Sequence, residues 1–422
     1  MKKNKIALLL AGGTGSRLNI LASLRAKPAI PFGGMYRLID FTLSNLMHSN
    51  IEVVGVLTQY KPFSLMNHIV NGQAWDFVGR MRNIEILPPH TGEKASDWYK
   101  GTADAVYQNL NFINDYDPEL ILIVSGDHIY KMDYNEMINF HLEKKAQLTV
   151  GLIEVPLKDA SHFGIAQIDD NGRVINFEEK PKIPKNNLAS MGVYVFNSEI
   201  LIKRLREIVP AGGRDFAKDL IPKMIMMNRV FGYLFRGYWR DVGTIQAYWE
   251  ANMDILKEDS GIDLKAWQVR TNLVEKGEIG DRPSTFFGSS ARVKNSLVCR
   301  GCRINGTVIN SVLSPGVEIE SGVVVKDSII FHDCLIGRDC RIERAIIDKN
   351  VRVGKGSEIG ITDDLTVNRD FPDHLNTGIT LIGKNVVIPE KMKIGKNCLI
   401  YPGVVESDFR HKEIASGATI IK

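Results

Sequence analysis

The sequence predicts an α/β protein in which a mostly parallel sheet domain precedes a parallel β-helix. Three observations support this prediction. Short apolar strands alternate with helical stretches up to about residue 255, the first strand runs into a glycine loop, and a near-hexad repeat begins near residue 288. A chain of 422 residues is also too long for one ordinary core, so two domains are expected.

The first element is the apolar run Ile6–Ala11, which is long enough for one buried parallel strand. Glycines 12, 13 and 15 follow it, and they allow backbone N–H groups to turn toward an anion without interference from a Cβ atom. Arg17 and Lys27 add two positive charges close by. This segment therefore predicts a polyphosphate site.

The remaining elements to about residue 255 are strands that alternate with helices, which predicts a mostly parallel sheet. In such a sheet, ligands bind beyond the carboxyl ends of the strands. Further predicted strands are Val53–Thr58, Leu120–Ser125, Leu148–Val155, Ile165–Ile168 and Gly192–Phe196. Predicted helices are Ile39–Ser49, Ala103–Phe112, Tyr134–Lys145 and Ile245–Leu256.

The C-terminal third follows a different pattern. After a connector at about 257–287, which contains the Gly280–Pro283 stretch, small apolar residues recur at near-hexad spacing and Gly, Asn or Asp fills the corners. Three short strands per coil of about 17–18 residues are typical of a hexapeptide β-helix. The segment Asp363–His374 breaks the repeat and is expected to loop out. The hexad positions are Val317, Val323, Ile329, Cys334, Cys340, Ile346 and Val351.

Composition narrows the class of protein. The net charge of +4 and the absence of a dense Lys/Arg run argue against nucleic-acid binding, and no apolar stretch approaches a membrane span. Met1–Lys5 followed by Ile6–Ala11 imitates a signal peptide, but cleavage there would remove the strand that presents the glycine loop. The five cysteines, an odd number, favour reduced thiols in the cytoplasm and small buried side chains rather than a metal or redox site.

Two aspartates are candidate metal ligands. Asp127 follows the predicted strand Leu120–Ser125, where a carboxylate is costly unless it has a partner, and Mg²⁺ prefers one or two carboxylates plus phosphate oxygens. The alternative is a helix cap. Asp241, between aromatic and small residues, is a second candidate that taken alone fits a loop or cap residue better.

Three weaker motifs also follow strands or open helices. Glu179-Lys180-Pro181 offers a point charge for a phosphate, although such pairs are common on surfaces. Gly101-Thr102 opens a helix with Thr102 as a plausible N-cap, and Ala189–Gly192 is equally ambiguous.

Taken in order, these motifs resemble those of the bacterial glucose-1-phosphate adenylyltransferases, also called ADP-glucose pyrophosphorylases. The resemblance covers nearly the whole chain. It is carried by Leu10–Leu18, Arg25–Ala29, Phe32–Gly34, Tyr36–Phe41, Leu43–Asn45, Thr58–Tyr60, Trp98–Ala105, Gly126–Tyr130, Phe163-Gly164, Glu179–Pro181, Ala189–Gly192 and Trp239–Thr244.

The resemblance implies a GT-A-like nucleotidyltransferase domain at 1–256, a connector at 257–287 and a left-handed β-helix at 288–422 that serves regulation and oligomerisation. It implies Mg²⁺-dependent attack of glucose 1-phosphate on the α-phosphorus of ATP, giving ADP-glucose for glycogen or another α-glucan and pyrophosphate. It further implies a cytoplasmic homotetramer that responds to an anionic effector.

The resemblance also implies residue roles. Arg17, Lys27 and Asp127 would be catalytic, and Asp127 and Asp241 would hold Mg²⁺. The ATP site would comprise Leu10, Ala11, Gly12, Gly13, Thr14, Gly15, Gln59, Gly101 and Thr102. The glucose 1-phosphate site would comprise Tyr99, Gly164, Glu179, Lys180 and Ser190.

Regulation is where the chain departs from the pattern. Enterobacterial members have Lys and His where this chain has Leu24 and Pro31, whereas the anion-site residue Arg37 is kept. Fructose 1,6-bisphosphate activation is therefore in doubt, and another sugar phosphate or weak regulation is equally compatible. Two alternative functions also stay open, namely synthesis of UDP- or dTDP-glucose and a non-catalytic regulatory subunit.

Overall fold

The computed structural model describes residues 3–89, 98–274 and 281–422, and its contacts separate the chain into two compact units. The first unit comprises Met1–Gly13 and Ile39–Trp239, and the second comprises Thr14–Leu38 and Arg240–Lys422. Residues 14–38 and 240–256, which lie within the predicted 1–256 domain, thus group with the C-terminal part of the chain. Residues Met1 and Lys2 of the signal-like segment and residues 275–280 of the predicted connector lie outside the described residues.

The strands before the β-helix are β1 (Lys5–Leu10), β2 (Pro31–Phe32), β3 (Tyr36–Arg37), β4 (Val53–Leu57), β5 (Asn83–Leu87), β6 (Leu120–Ser125), β7 (His128–Tyr130), β8 (Leu148–Glu154), β9 (Gly164–Ile168), β10 (Val174–Glu179), β11 (Leu188–Asn197), β12 (Val230–Leu234) and β13 (Trp239–Asp241). The α-helices are α1 (Leu38–His48), α2 (Phe63–Ile69), α3 (Thr102–Gln108), α4 (Leu110–Tyr116), α5 (Tyr134–Glu143), α6 (Ser198–Ile208), α7 (Ile221–Met227), α8 (Ile245–Asp254) and α9 (Leu264–Trp267). Short 3₁₀ turns are Ser16–Ala22, Lys27–Ala29, Gln73–Trp75, Leu157–His162 and Glu406–Asp408, and Phe216–Leu220 is a π-helical turn.

The first unit is built on one sheet, which has nine strands among the described residues. Its path is β10-β9-β11-β6-β1-β4-β5, with β8 pairing β11 and β12. Strands β6, β1, β4 and β5 are parallel neighbours, and β11 joins β6 in the antiparallel direction. β1, β4 and β6 are buried nearly throughout, as expected of parallel strands covered on both faces. The carboxyl ends of these strands therefore lie along one edge.

One predicted helix is two. The stretch Ala103–Phe112 is broken at Asn109, whose φ of −109° is not helical. The Asn109 side chain donates to Ala105 O and to the Tyr99 hydroxyl, at 2.8 Å in both cases. An Asn side chain that bonds locally to the backbone competes with helix propagation, which explains the break.

The β-helix lies within the second unit. Its strands are β14 (Phe286–Phe287), β15 (Arg292–Lys294), β16 (Leu297–Val298), β17 (Arg303–Ile304), β18 (Thr307–Ile309), β19 (Val312–Leu313), β20 (Glu318–Ile319), β21 (Val324–Lys326), β22 (Ile329–Ile330), β23 (Leu335–Ile336), β24 (Arg341–Glu343), β25 (Ala345–Ile347), β26 (Arg352–Val353), β27 (Glu358–Ile359), β28 (Thr380–Ile382), β29 (Val387–Ile388), β30 (Lys393–Ile394), β31 (Leu399–Ile400), β32 (Glu413–Ile414) and β33 (Thr419–Ile420).

These strands form three parallel sheets in the left-handed hexapeptide pattern, which confirms the predicted fold class. The step from Val312 to Ile329 and the step from Ile329 to Ile346 are both 17 residues, in agreement with the predicted coil length. All seven hexad positions are buried, because each coil must stack on its neighbours to cover its inner face. The segment Asp363–His374 lies between β27 and β28 and contains no strand, as the sequence predicts.

Asn and Asp occupy many corners of the β-helix because they tolerate the left-handed backbone conformation better than other residues with a Cβ. Positive φ values of 43–59° occur at Asn295, Asn310, Asp327, Asp333, Asp339, Asn350 and Asn397. Within the described ranges, no helix is long and apolar enough to cross a membrane.

Candidate active site

The first group of site residues lies at the carboxyl edge of β1, β4 and β6. Ala11 donates its N–H to Leu57 O at 2.8 Å, and Gly126 donates to Leu10 O at 3.0 Å. A Cβ atom at Gly12 would lie 3.7 Å from Gln59 Cβ, an ordinary contact distance. The structure therefore brings the predicted ATP-binding residues Leu10, Ala11 and Gly12 beside Gln59, with Gly13 next in the chain.

Asp127 lies two residues past the end of β6, at the same edge. The Ser125 hydroxyl donates to Asp127 Oδ1, and the Thr42 hydroxyl fixes the turn by donating to Ser125 O at 2.9 Å. The Asp127 side chain is 20% exposed, and its Oδ1 lies 3.6 Å from His128 Nε2. This carboxylate is thus held by the strand end and still reaches solvent, whereas the capping residue of the next helix is Asp133.

Glu179, Gly164 and Lys180 come together at the end of β10. Glu179 is opposite Gly164 in the β9–β10 ladder, and a Cβ atom at Gly164 would lie 2.8 Å from Glu179 Oε2. Lys180 Nζ lies 3.3 Å from Glu179 Oε1, and more than half of its side chain is exposed. A largely buried carboxylate beside an exposed ammonium suits a ligand that carries both hydroxyl groups and a phosphate.

Ser190 lies on β11 where the pairing with β8 is irregular. The ladder shifts register between Ser190 and Tyr194. Ser190 Oγ lies 3.2 Å from the Tyr194 hydroxyl and accepts from the Gly192 N–H at 3.3 Å. Such a bulge re-aims side chains near a site.

Tyr194 is a residue that the sequence analysis missed. Burial, together with the nearby carboxylates Glu179 and Asp215, raises the pKa of its phenol well above the usual range, so the hydroxyl stays protonated. Its position four residues after Ser190 places both on one face of a strand, and this periodicity was the available signal.

Trp239 belongs to the motif Trp239–Thr244, but the sequence analysis assigned it no role of its own. Its buried Nε1 has no hydrogen-bond partner among the described residues, and its ring packs on those of His128 and Phe163.

Tyr99 is tied to the scaffold through its hydroxyl. It donates to Leu87 O at 3.0 Å and accepts from Asn109 Nδ2 at 2.8 Å. Burial raises the pKa of Tyr99 to about 12. Because the hydroxyl proton is donated to Leu87 O, a sugar would contact the Tyr99 ring or donate a hydrogen bond to its oxygen.

Thr102 is not the N-cap that the sequence suggested. Gly101 occupies the cap position of α3, and the Thr102 hydroxyl accepts from Phe216 N at 3.0 Å. The Ala103 and Asp104 N–H groups donate to Arg214 O, so the helix start is capped by a backbone carbonyl from another segment. A Cβ atom at Gly101 would collide with that same oxygen.

A second group of site residues lies in the other unit. Lys27 is buried, and its Nζ lies 3.1 Å from Asp241 Oδ1. A Cβ atom at Gly243 would lie 2.8 Å from Arg17 Nη2 and 3.0 Å from Asp241 Oδ1, so the Arg17 guanidinium lies close to the same carboxylate. The structure thus brings Arg17, Lys27 and Asp241 together.

Gly15 completes this second group, which also contains Thr14. Its φ is +65°, and a Cβ atom there would lie 2.9 Å from Ala22 Cβ and 3.2 Å from Lys27 Cβ. Only glycine fits both the left-handed backbone and the close approach.

The three residues relevant to an effector also lie in this unit. Arg37 is in β3, opposite Pro31 in the β2–β3 ladder. Leu24 is 53% exposed, whereas Pro31 is buried. The substituted positions therefore differ in how a ligand could reach them.

All five cysteines are buried free thiols that form no disulfide. The Cys302, Cys334, Cys340 and Cys398 thiols donate to backbone carbonyls of the β-helix. Burial raises the pKa of Cys299 to about 12, which makes a reactive thiolate unfavourable. Among the described residues no group of three or more His, Cys, Asp or Glu side chains forms a metal cage.

Comparison with protein families defines the class. A nucleotidyl transferase family model matches residues 6–258, and a GlmU-like C-terminal hexapeptide model matches residues 283–382. The parallel strands with their glycine loop, followed by hexapeptide coils, are therefore those of a nucleotidyltransferase enzyme.

Similar proteins narrow the class further. A glucose-1-phosphate adenylyltransferase of Acetivibrio thermocellus is 44% identical over all of this chain and 98% of its own length. One of Thermotoga maritima is 47% identical over 99% of both chains, and one of Clostridium botulinum is 52% identical over 74% of this chain and 81% of its own. This chain belongs to the glucose-1-phosphate adenylyltransferase family.

Proposed function

We propose that this protein joins ATP and glucose 1-phosphate to form ADP-glucose and pyrophosphate, and that it supplies ADP-glucose for glycogen or a related α-glucan. The observation that carries the proposal is the match to glucose-1-phosphate adenylyltransferases along the entire chain. A phosphate oxygen of glucose 1-phosphate attacks the α-phosphorus of ATP in line, and the bond to the pyrophosphate oxygen breaks. Such a transfer depends on positioning and charge neutralisation rather than on covalent catalysis.

The cluster of Arg17 and Lys27 acts on the triphosphate. Lys27 is held by its contact with Asp241, and the exposed Arg17 guanidinium lies close to the same carboxylate. They stabilise the negative charge that develops on the leaving pyrophosphate. The backbone of residues 11–15 follows the triphosphate, while Gln59 and the Gly101–Thr102 backbone contact the base.

Asp127 and Asp241 are the residues that would hold Mg²⁺. Both are carboxylates, the ligand type that Mg²⁺ prefers, and each side chain is about one-fifth exposed and so reaches solvent. When bound, the ion neutralises phosphate charge and orients the reacting oxygens. Asp241 also lies beside Lys27, so the negative charge of this carboxylate would attract both Mg²⁺ and the Lys27 ammonium.

The second substrate is bound by the group around β10 and β11. Lys180 meets the phosphate of glucose 1-phosphate as an exposed point charge, and Glu179 accepts hydrogen bonds from sugar hydroxyls. Ser190 on β11 and Gly164 on β9 contact the same substrate, and Tyr99 contributes from the segment that precedes α3. Together these residues fix the attacking phosphate in one orientation, which raises its effective concentration.

A pyrophosphate-release assay with glucose 1-phosphate and each of ATP, UTP, dTTP, CTP and GTP tests this proposal. We expect ATP to give a kcat/KM at least tenfold above that of any other nucleotide. Equal turnover of UTP or dTTP would contradict the assignment of the nucleotide, and no turnover of any nucleotide would contradict an enzymatic function.

Assembly, regulation and location belong to the same proposal. The end strand β14 of the β-helix carries exposed Phe286 and Phe287, an edge that suits association, so we expect a homotetramer by light scattering. A monomer at working concentration would contradict the expected tetramer.

Arg37 is the candidate anion-binding residue for an effector, and a screen of sugar phosphates with wild type and Arg37→Ala tests this role. The buried free thiols fit a cytoplasmic protein.

A further inference from the structure

Three successive coils of the β-helix place one residue each at the same corner. Leu313 pairs with Ile330, and Ile330 pairs with Ile347, in adjacent parallel strands. The residues that follow are therefore stacked at one corner at intervals of one coil. They are Ser314, Phe331 and Asp348, and we call them the corner column.

Each member of the corner column is connected to the segment of residues 25–34 in the same unit. Ser314 Oγ donates to Gly34 O at 2.7 Å. The Phe331 ring packs edge-on against that of Tyr248, at 6.5 Å between centroids, and the Tyr248 hydroxyl donates to Pro31 O. The column thus fixes this segment at several places.

The third contact is a buried ion pair between Asp348 and Arg25. Arg25 Nη2 donates to both Asp348 carboxylate oxygens at 2.9 Å, and the side chains are only 6% and 1% exposed. Lys349 N–H also donates to Asp348 Oδ1 at 2.7 Å, and Asp348 O accepts from the Cys334 thiol. The Asp348 carboxylate therefore accepts three hydrogen bonds, and two of them fix the Arg25 guanidinium.

Arg25 is two residues from Lys27, and the chain between them is constrained. Ala29 N–H donates to Ala26 O at 2.9 Å, and Ile30 N–H donates to Lys27 O at 3.0 Å, which closes the 3₁₀ turn at Lys27–Ala29. A displacement of Arg25 would move the start of this turn, and with it Lys27. Lys27 Nζ would then leave its position 3.1 Å from Asp241 Oδ1.

We propose that Asp348 is a positioning residue for the reaction: through Arg25 it fixes the turn that carries Lys27, so the β-helix sets the place of a phosphate-binding ammonium. This inference rests on the proposed function. A misplacement of about 1 Å at a reacting group can cost on the order of 100-fold in rate, so a distant residue can matter this much.

The test compares Asp348→Asn with Glu343→Gln. Glu343 is a carboxylate of the same β-helix, paired with Lys326 at 2.9 Å on its exposed surface, so it controls for charge removal. We expect Asp348→Asn to lower kcat on the order of 10- to 100-fold, with the KM for glucose 1-phosphate within about twofold of wild type. Glu343→Gln should leave both constants unchanged.

A double-mutant cycle separates positioning from a general structural role. In a Lys27→Gln background, Asp348→Asn should have little further effect on kcat, because Asp348 acts through Lys27. Multiplicative losses in the cycle would overturn the proposal.

A second variant tests the proposal if Asp348→Asn fails to fold. Arg25→Met/Asp348→Leu removes both buried charges and should fold, since apolar replacements of a buried pair are often tolerated. It should remain slow, and wild-type kcat in this variant would overturn the positioning role. If wild type itself makes no ADP-glucose, the proposed function fails, whereas active wild type with fully active Asp348→Asn removes only the present inference.

Discussion

At the scale of single residues, the two halves of the candidate site differ in what holds them. Asp127 is fixed by the Ser125 hydroxyl at a strand end, whereas Lys27 is fixed by a carboxylate and by its own 3₁₀ turn. The first kind of support comes from a side chain only two residues away in the sequence. The second depends on side chains distant in sequence, so it is more sensitive to substitution.

Asp127→Asn tests the carboxylate at the end of β6. The variant keeps the shape of the side chain and removes its charge, so we expect kcat to fall on the order of 10³-fold, with the midpoint of thermal unfolding little changed. Steady-state pyrophosphate release measures it. Asp133→Asn is the matched control, because Asp133 caps α5 through the Asn135 N–H and Asn is an equally good cap. Near-normal turnover by Asp127→Asn would remove Asp127 from the catalytic group.

Gly13→Ala and Gly15→Ala test the glycine loop by opposite outcomes. At Gly15 the left-handed φ and the contacts with Ala22 and Lys27 make a Cβ unfavourable, so we expect a loss of about 1–2 kcal/mol in the free energy of unfolding. At Gly13 a Cβ would meet nothing within 4 Å, so stability should not change. Because that space is where we place the triphosphate, the KM for ATP should rise. Equal unfolding midpoints, or an unchanged KM in Gly13→Ala, would contradict this account.

At the scale of elements, strands were easier to predict from sequence than the contacts at their ends. The apolar runs of β1, β4, β6 and β8 were found to within one or two residues, because a buried parallel strand has a clear composition. The start of α3 was misassigned because its cap is the carbonyl of Arg214, more than a hundred residues away. No local pattern contains that information.

Asn109→Ala tests the break between α3 and α4. The side chain holds Ala105 O and the Tyr99 hydroxyl, so its loss should cost about 1–2 kcal/mol in the free energy of unfolding. Release of Tyr99 should also raise the KM for glucose 1-phosphate several-fold. Gln108→Ala is the neighbouring control, since Gln108 bonds to Asp104 instead. Lost stability with an unchanged KM would exclude Tyr99 from substrate binding.

At the scale of the molecule, the sequence predicted both architectures but not the grouping of residues 14–38 with the second unit. The order of motifs predicted a set of site residues, and the structure brings some of them into contact. Glu179 lies beside Gly164 and Lys180 in the first unit, and Lys27 lies beside Asp241 in the second. What could not be predicted is the support of Lys27, because the pairing of Arg25 with Asp348 joins residues 323 positions apart. Pairwise charge contacts at that separation leave no periodicity or spacing in a single sequence.

Buried thiols and phenols make the stability of the protein depend on pH. Burial raises the pKa of several thiols and phenols, including Cys299 to about 12, Cys398 to about 11, and Tyr130 and Tyr233 to about 12. A raised folded-state pKa means that the folded protein binds the proton more tightly than the unfolded chain. Stability is then full below the unfolded pKa and is lost as pH rises toward the folded pKa. For the thiols this window opens near pH 8.5, and for the phenols near pH 10.

We therefore expect the free energy of unfolding in urea to fall steadily between pH 8 and pH 10.5. Lys5 and Lys131, whose pKa values burial lowers, act in the opposite direction but are only half-buried. Cys398 alone should account for about 1–2 kcal/mol between pH 8 and pH 10. Cys398→Ser replaces the thiol that donates to Ala415 O with a hydroxyl that does not titrate in this range, so the pH dependence of its unfolding should be shallower by that amount. Parallel curves for wild type and Cys398→Ser would show that this thiol ionises equally in the folded and unfolded chain, which its burial within the β-helix should prevent.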